Sequence, residues 1–132
     1  MPHKIISEDL GLYFSLSGNV NFQDIRFACA EAWEHKNRMS NVYQIWDFEK
    51  VDKFDMEHLE AVMGARMDNV AFGEIGNLTK IAIVSNRIDI IGKYLVYKGC
   101  LDNDIVMADV FNSVSDAREW ISKASSKSSK TA

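Results

Sequence analysis

The stretch YQIWDFEKVDKFDMEHLE, Tyr43 to Glu60, sets Asp47, Asp52, Asp55 and Glu57 close together behind an apolar run. Carboxylates at this density suit two chemistries: oxygen ligation of a hard cation, or acid and base work by a pair whose environments differ. The spacing is not that of a calcium loop, which needs a central Gly turn and a closing bidentate Glu. A structural reading competes. Asp55 can cap a helix by accepting from backbone N–H groups of the next turn, while Glu57 meets the positive end of the helix dipole. That accounts for two of the four carboxylates without any ligand.

No other stretch supplies a catalytic set. His35 and His58 each occur alone, without an HExxH pattern, and read as surface or helix-edge residues; His3 lies near the chain end. Cys29 and Cys100 are far apart in no CxxC spacing and read as reduced, buried thiols. There is no GxSxG elbow, no GxGxxG and no Walker loop. No metal or cofactor is expected, and the chain does not read as an enzyme.

The elements that must position these residues follow from periodicity. Lys4–Ser7 reads as a short strand, Glu8-Asp9 as a hairpin turn, and Leu10, Leu12, Phe14 and Leu16 as alternating positions of a second strand ended by Gly18-Asn19. Asn21 is placed to cap a helix running to about Arg38, with Asp24 in its first turn. Val42–Phe48 reads as a strand. Asp55 to about Val70 reads as the second helix, whose stripe of Met56, Leu59, Met63, Met67 and Val70 is expected to face the core.

Phe72–Leu78 reads as a loop, and Thr79–Ser85 as a central strand, apolar on both faces. Ile88 to about Tyr97 is a third helix closed by Gly99. It carries two apolar lines, Ile88, Ile91 and Leu95 against Ile90, Tyr94 and Tyr97. Only one line can be fully buried against a sheet. The tyrosine-bearing line, Ile90, Tyr94 and Tyr97, is the candidate self-association stripe of a possible homodimer, the alternative being that the Phe72–Leu78 loop or the last helix folds over it. Asp104–Phe111 is the last strand, and Ser113 or Ser115 caps a final helix with Ala117, Trp120, Ile121 and Ala124 on one side.

The order β-β-α-β-α-β-α-β-α implies an α/β fold: one mixed, mostly parallel sheet of about five strands with about four helices. Residues 1–124 read as a single domain and 125–132, a Ser/Lys tail, as disordered. At 132 residues, with 47% hydrophobic and 26% charged, the chain can build its own core. The net charge of −4 argues against nucleic acid and against an anionic membrane surface. The N-terminus lacks a signal-peptide core and no apolar run approaches a membrane span, so a cytoplasmic location is expected. Asn77-Leu78-Thr79 matches a glycosylation sequon by chance in that setting.

IWDFEKVDKFDMEHL resembles the signature of STAS domains, the fold of sporulation anti-sigma-factor antagonists. In that signature a strand ends in Asp and a helix opens with Asp-Ser-Ser-Gly-Leu; Asp47, Asp55 and Leu59 match the strand-end Asp, the Asp before the helix and the closing Leu. The wider layout, over roughly residues 4 to 124, resembles the STAS/SEC14 (SpoIIAA-like) family of small bacterial proteins. It does so in the Gly-Asn-Val turn, Ile45-Trp46-Asp47, Lys80–Val84, and Val110-Phe111 leading to Ala117 and Trp120.

The resemblance implies a STAS-like interaction or regulatory module, with Asp55, Met56, Glu57 and His58 as its candidate interaction surface. Met56, Glu57 and His58 replace the Ser-Ser-Gly positions, so the phospho-switch of the regulatory members has no hydroxyl to act on. The likeness to SEC14 lipid-binding domains implies an alternative, a small apolar-ligand binder, which needs an enclosed pocket of roughly 300 Å³ or more.

Overall fold

The computed structural model describes residues 3–35, 41–76 and 78–131, with side chains as far as Lys123. β1 (His3–Ser7) pairs antiparallel with β2 (Gly11–Asn21), and Glu8 N–H donates to Gly11 O over 2.9 Å in the turn between them. β2, β3 (Tyr43–Asp55), β4 (Thr79–Val84) and β5 (Val106–Phe111) run parallel, giving one five-stranded sheet in the order β1-β2-β3-β4-β5. This is the mixed, mostly parallel α/β sheet that the alternating pattern implies. β3 takes the middle place, and β4 lies beside it as an inner strand bonded on both edges.

Each parallel crossover steps one strand in the same direction. Right-handed connections must then lay their helices on one face. α1 (Phe22–Trp33), α2 (His58–Gly73) and α3 (Ile88–Gly99) do so, over a core containing Leu12, Phe14, Leu16, Trp46, Phe48 and Ile81. α4 (Val114–Thr131) covers the other face, where Ala117 is fully buried on Ile45, Ala82 and Val84. Both faces are thus covered, which explains why β4 is apolar on both.

Several boundaries differ from the sequence pattern for identifiable reasons. β2 continues past Gly18, which adopts φ +69, to Asn21, and β3 continues past Phe48 to Asp55. The two strands stay paired through two register shifts in which β3 carries the extra residues. Each bulge interrupts the alternation that would reveal a strand. α1 ends at Trp33 with Glu34 as C-cap; the expected continuation to Arg38 falls on residues 36–40, outside the described residues, as does Asn77 of the sequon. α4 is helical through Thr131, whereas composition implies a disordered tail from 125. Extending an existing helix needs no new nucleus, so even a Ser/Lys sequence can follow on.

Candidate interaction surface on the second helix

β4 stops pairing with β3 at the Asp47–Val84 pair, but β2 and β3 run on together as far as Asn21 and Asp55. The sheet therefore projects a two-stranded ribbon, and α1 and α2 both begin at its tip. Asn21 caps α1: its Oδ1 accepts from Asp24 N–H and Asp24 Oδ2 accepts from Asn21 N–H, each over 2.9 Å. Asn21 is the N-cap that the sequence implies, and Asp24 closes it into a reciprocal capping box.

Asp55 does not cap α2. It is the exposed last residue of β3, and Glu57 takes the N-cap position, its N–H donating to Glu60 Oε1 over 2.9 Å. The bulges in β3 lengthen the strand and push the helix start two residues on. Arg87, at the N-cap of α3, braces the ribbon: Nη1 donates to the carbonyls of Val51 and Asp52, while Nε and Nη2 hold Asp89.

The four carboxylates of the opening motif do not converge. Asp47 is buried on the α4 side of the sheet, accepting from the Tyr13 hydroxyl and from Glu49 N–H at the first bulge. Asp52, Asp55 and Glu57 are exposed along the ribbon and helix start. Among the described residues no three His, Cys, Asp or Glu side chains are grouped to hold a metal. Met56 is half-buried and His58 exposed, so Asp55, Glu57 and His58 present polar groups to solvent at the tip while Met56 turns inward.

The larger surprise is α2 itself. Its buried residues are Ala61, Gly64, Ala65 and Phe72, and the large apolar residues lie outside: Leu59 is 64% exposed, Met63 46%, Met67 43% and Val70 71%. The expected core stripe is therefore a surface stripe. Beneath the helices the sheet carries Phe14 stacked on Trp46 at 4.0 Å between ring centroids, with Phe48 edge-on to Phe54. The small side of α2 faces these rings, with a cavity of about 90 Å³ lined by Trp46, Phe48, Phe54, Ala61 and Gly64. Gly64 lies beside the Phe22 ring, where an added Cβ would make an ordinary van der Waals contact at 3.5 Å. Ala61, Gly64 and Ala65 form a small-residue line on the side of α2 opposite the methionines.

α3 likewise reverses the expected assignment. Ile90 and Tyr94 are buried, Tyr97 packs against the core, and Ile88 and Leu95 are exposed. Tyr94 Oη donates to Ala108 O over 3.0 Å and Tyr97 Oη to Asp68 Oδ2 over 2.6 Å. Both hydroxyls find partners inside, which removes the reason to keep those rings wet. The Ile90, Tyr94 and Tyr97 line is thus unavailable for self-association.

Asp68 also faces Arg26 Nη1 at 3.5 Å. Burial pushes its carboxyl up, against the pull of Tyr97 and Arg26. Cys29 and Cys100 are free thiols, and burial pushes Cys29 up to about 12, too high for a ready nucleophile.

Comparison with protein-family profiles and with curated proteins finds no match. Comparison of folds does. The structure of the anti-sigma factor antagonist SpoIIAA in its unphosphorylated form superposes with a TM-score of 0.57 at 11% identity, covering 92% of this chain and 96% of that one. The fold is SpoIIAA-like. The phosphorylated form of SpoIIAA, described as a Bacillus cell fate determinant, gives 0.53 at 13% identity over 90% and 98% of the two chains. An uncharacterized protein of the DUF3478 family from Shewanella loihica PV-4, itself described as SpoIIAA-like, gives 0.50 at 16% identity over 89% and 90%. At such identities the likeness to SpoIIAA concerns the fold.

Proposed function

We propose that this chain is a non-enzymatic interaction module that docks a protein partner on the outer side of α2. The surface starts at Asp55, Glu57 and His58 on the ribbon tip and runs along Leu59, Met63, Met67 and Val70. The observation that carries the reading is this exposed stripe, whose residues repeat at steps of four, four and three and so share one side of the helix. Methionine suits such a surface because its flexible, polarizable side chain adapts to a partner's shape. A SpoIIAA-like fold is compatible with the reading, since its namesake is an antagonist that acts on another protein factor.

Control by phosphorylation of a hydroxyl at the start of α2 is not part of this reading. Residues 51–73 contain no Ser, Thr or Tyr. A second copy of the chain is one partner the stripe could accept, so homodimer formation belongs to this surface and not to the tyrosines of α3. A lipid-sized ligand fits poorly: two cavities measure about 90 and 240 Å³, and a third of about 540 Å³, beside Arg66, Met67 and Val70, is an open surface depression and not an enclosed pocket. Among the described residues no helix is long and apolar enough to cross a membrane.

The test places a photo-crosslinking amino acid at Met63, with the exposed Glu119 of α4 as the comparison site. A discrete adduct is expected from position 63 alone and should vanish in Val70→Glu. Sedimentation of the purified protein then distinguishes a second copy from another protein. Identical adducts from both positions, or an adduct that survives Val70→Glu, would remove the basis for the reading.

A further inference from the structure

The outer face of α2 carries charge as well as apolar side chains. At about 100° of turn per residue, Arg66 and Glu74 fall in the same arc as Leu59, Met63, Met67 and Val70. Glu74, the C-cap, keeps helical backbone angles, φ −72 and ψ −22. Both charged residues are exposed, and neither side chain has a partner among the described residues. They stand four residues before and four after Val70, which at 71% is the most exposed member of the stripe. One positive and one negative group thus lie about 6 Å along the axis to either side of Val70. Beside this ridge, between α1 and α2, is the open depression of about 540 Å³, walled by Trp33, Arg66, Met67, Val70 and Glu74.

Such a patch complements itself. Two copies related by a two-fold axis through Val70, with their α2 helices antiparallel, set Arg66 of each opposite Glu74 of the other, because both are four residues from the axis. The contact is made twice, and the Val70–Met67 ridge of each copy meets the depression of the other. Sliding one helix by a turn would set Arg66 against Val70 and leave the charges unmatched, so the register is specified. A partner with strong charge of one sign would match only one of the two groups. We propose that the partner of α2 is a second copy of this chain, held in a two-fold antiparallel contact centred on Val70 with two Arg66–Glu74 pairs. This rests on the reading of α2 as a docking face.

Sedimentation of the purified full chain tests it by charge exchange. One helix pair makes a small interface, so the wild-type dimer should have a Kd on the order of 10 μM. Arg66→Glu and Glu74→Arg each turn two attractions into two repulsions at exposed positions and should raise that Kd about tenfold. An equimolar mixture of the two variants should recover wild-type association, because each supplies the charge the other lacks. The double variant Arg66→Glu/Glu74→Arg should recover it alone. A wild type still monomeric at about 200 μM, or a mixture no tighter than either variant, would overturn the second copy as partner. If the position-63 adduct formed even so, the docking face would stand with a different protein on it; loss of the adduct as well would remove both. A dimer indifferent to Val70→Glu would place the contact elsewhere and also overturn the proposal.

Discussion

Tyr97 Oη donates to Asp68 Oδ2 over 2.6 Å, joining α3 to α2 beneath the layer of residues that both helices show to solvent. Asp68 also faces Arg26 of α1, so this carboxylate links all three helices of that face. Tyr97→Phe removes the shorter contact and leaves a desolvated oxygen unpaired. The expected loss is about 1.5–3 kcal/mol, the range for a hydrogen bond to a charged group. Urea unfolding measures it; a change below about 0.5 kcal/mol would show that water replaces the hydroxyl.

The caps of α1 and α2 should respond differently. Asn21→Ala removes half of a reciprocal box and should cost about 1 kcal/mol. Asp55→Ala alters an exposed residue at the end of β3 and should stay within about 0.5 kcal/mol. Equal losses in the two variants, read from denaturant midpoints, would return the α2 cap to Asp55.

Acid stability contains two opposing contributions. Arg118 holds Glu8 through bonds of 3.0 and 2.7 Å, and Tyr43 Oη adds a third at 2.5 Å, so the Glu8 carboxyl lies below its usual 4.5. A depressed carboxylate stabilises fully above 4.5 and loses that contribution as pH falls through its folded value. Asp68 is raised, so its contribution is complete below 3.8 and is lost as pH rises through its folded value. Glu8→Gln should therefore flatten the fall in stability between pH 7 and pH 3.5, and Asp68→Asn should steepen it. The Arg118 side chain is 45% exposed, so the Glu8 effect should be no more than about 1 kcal/mol. Parallel changes in both variants would contradict these assignments.

The order of elements was legible in sequence because the strands alternate or run apolar and the α1 cap uses a strong local signature. Ser113 Oγ accepting from Asp116 N–H over 3.1 Å is a further cap of that kind. The ribbon formed by the ends of β2 and β3 was not legible, since bulges break the period that marks a strand. The facing of α2 and α3 was not legible either. Leu59, Met63, Met67 and Val70 make an apolar stripe whichever way the helix turns. The Ala61–Gly64–Ala65 side faces the rings beneath, among them the Phe14–Trp46 stack built from two different strands. The tyrosines of α3 were misplaced for a related reason: Ala108 O and Asp68, their interior partners, come from distant elements.

Methionine oxidation tests the docking surface most directly, because the three exposed methionines among the described residues divide between the surface and the rest of the molecule. Met63 and Met67 lie on α2, while Met107, 37% exposed on the edge strand β5, is the internal reference. Brief peroxide treatment of dilute purified protein should oxidise Met63 and Met67 at least as fast as Met107. In cells that make the protein naturally, the same treatment should oxidise Met63 and Met67 several-fold more slowly relative to Met107, because a partner covers them. Unchanged ratios in the two settings would contradict docking on α2.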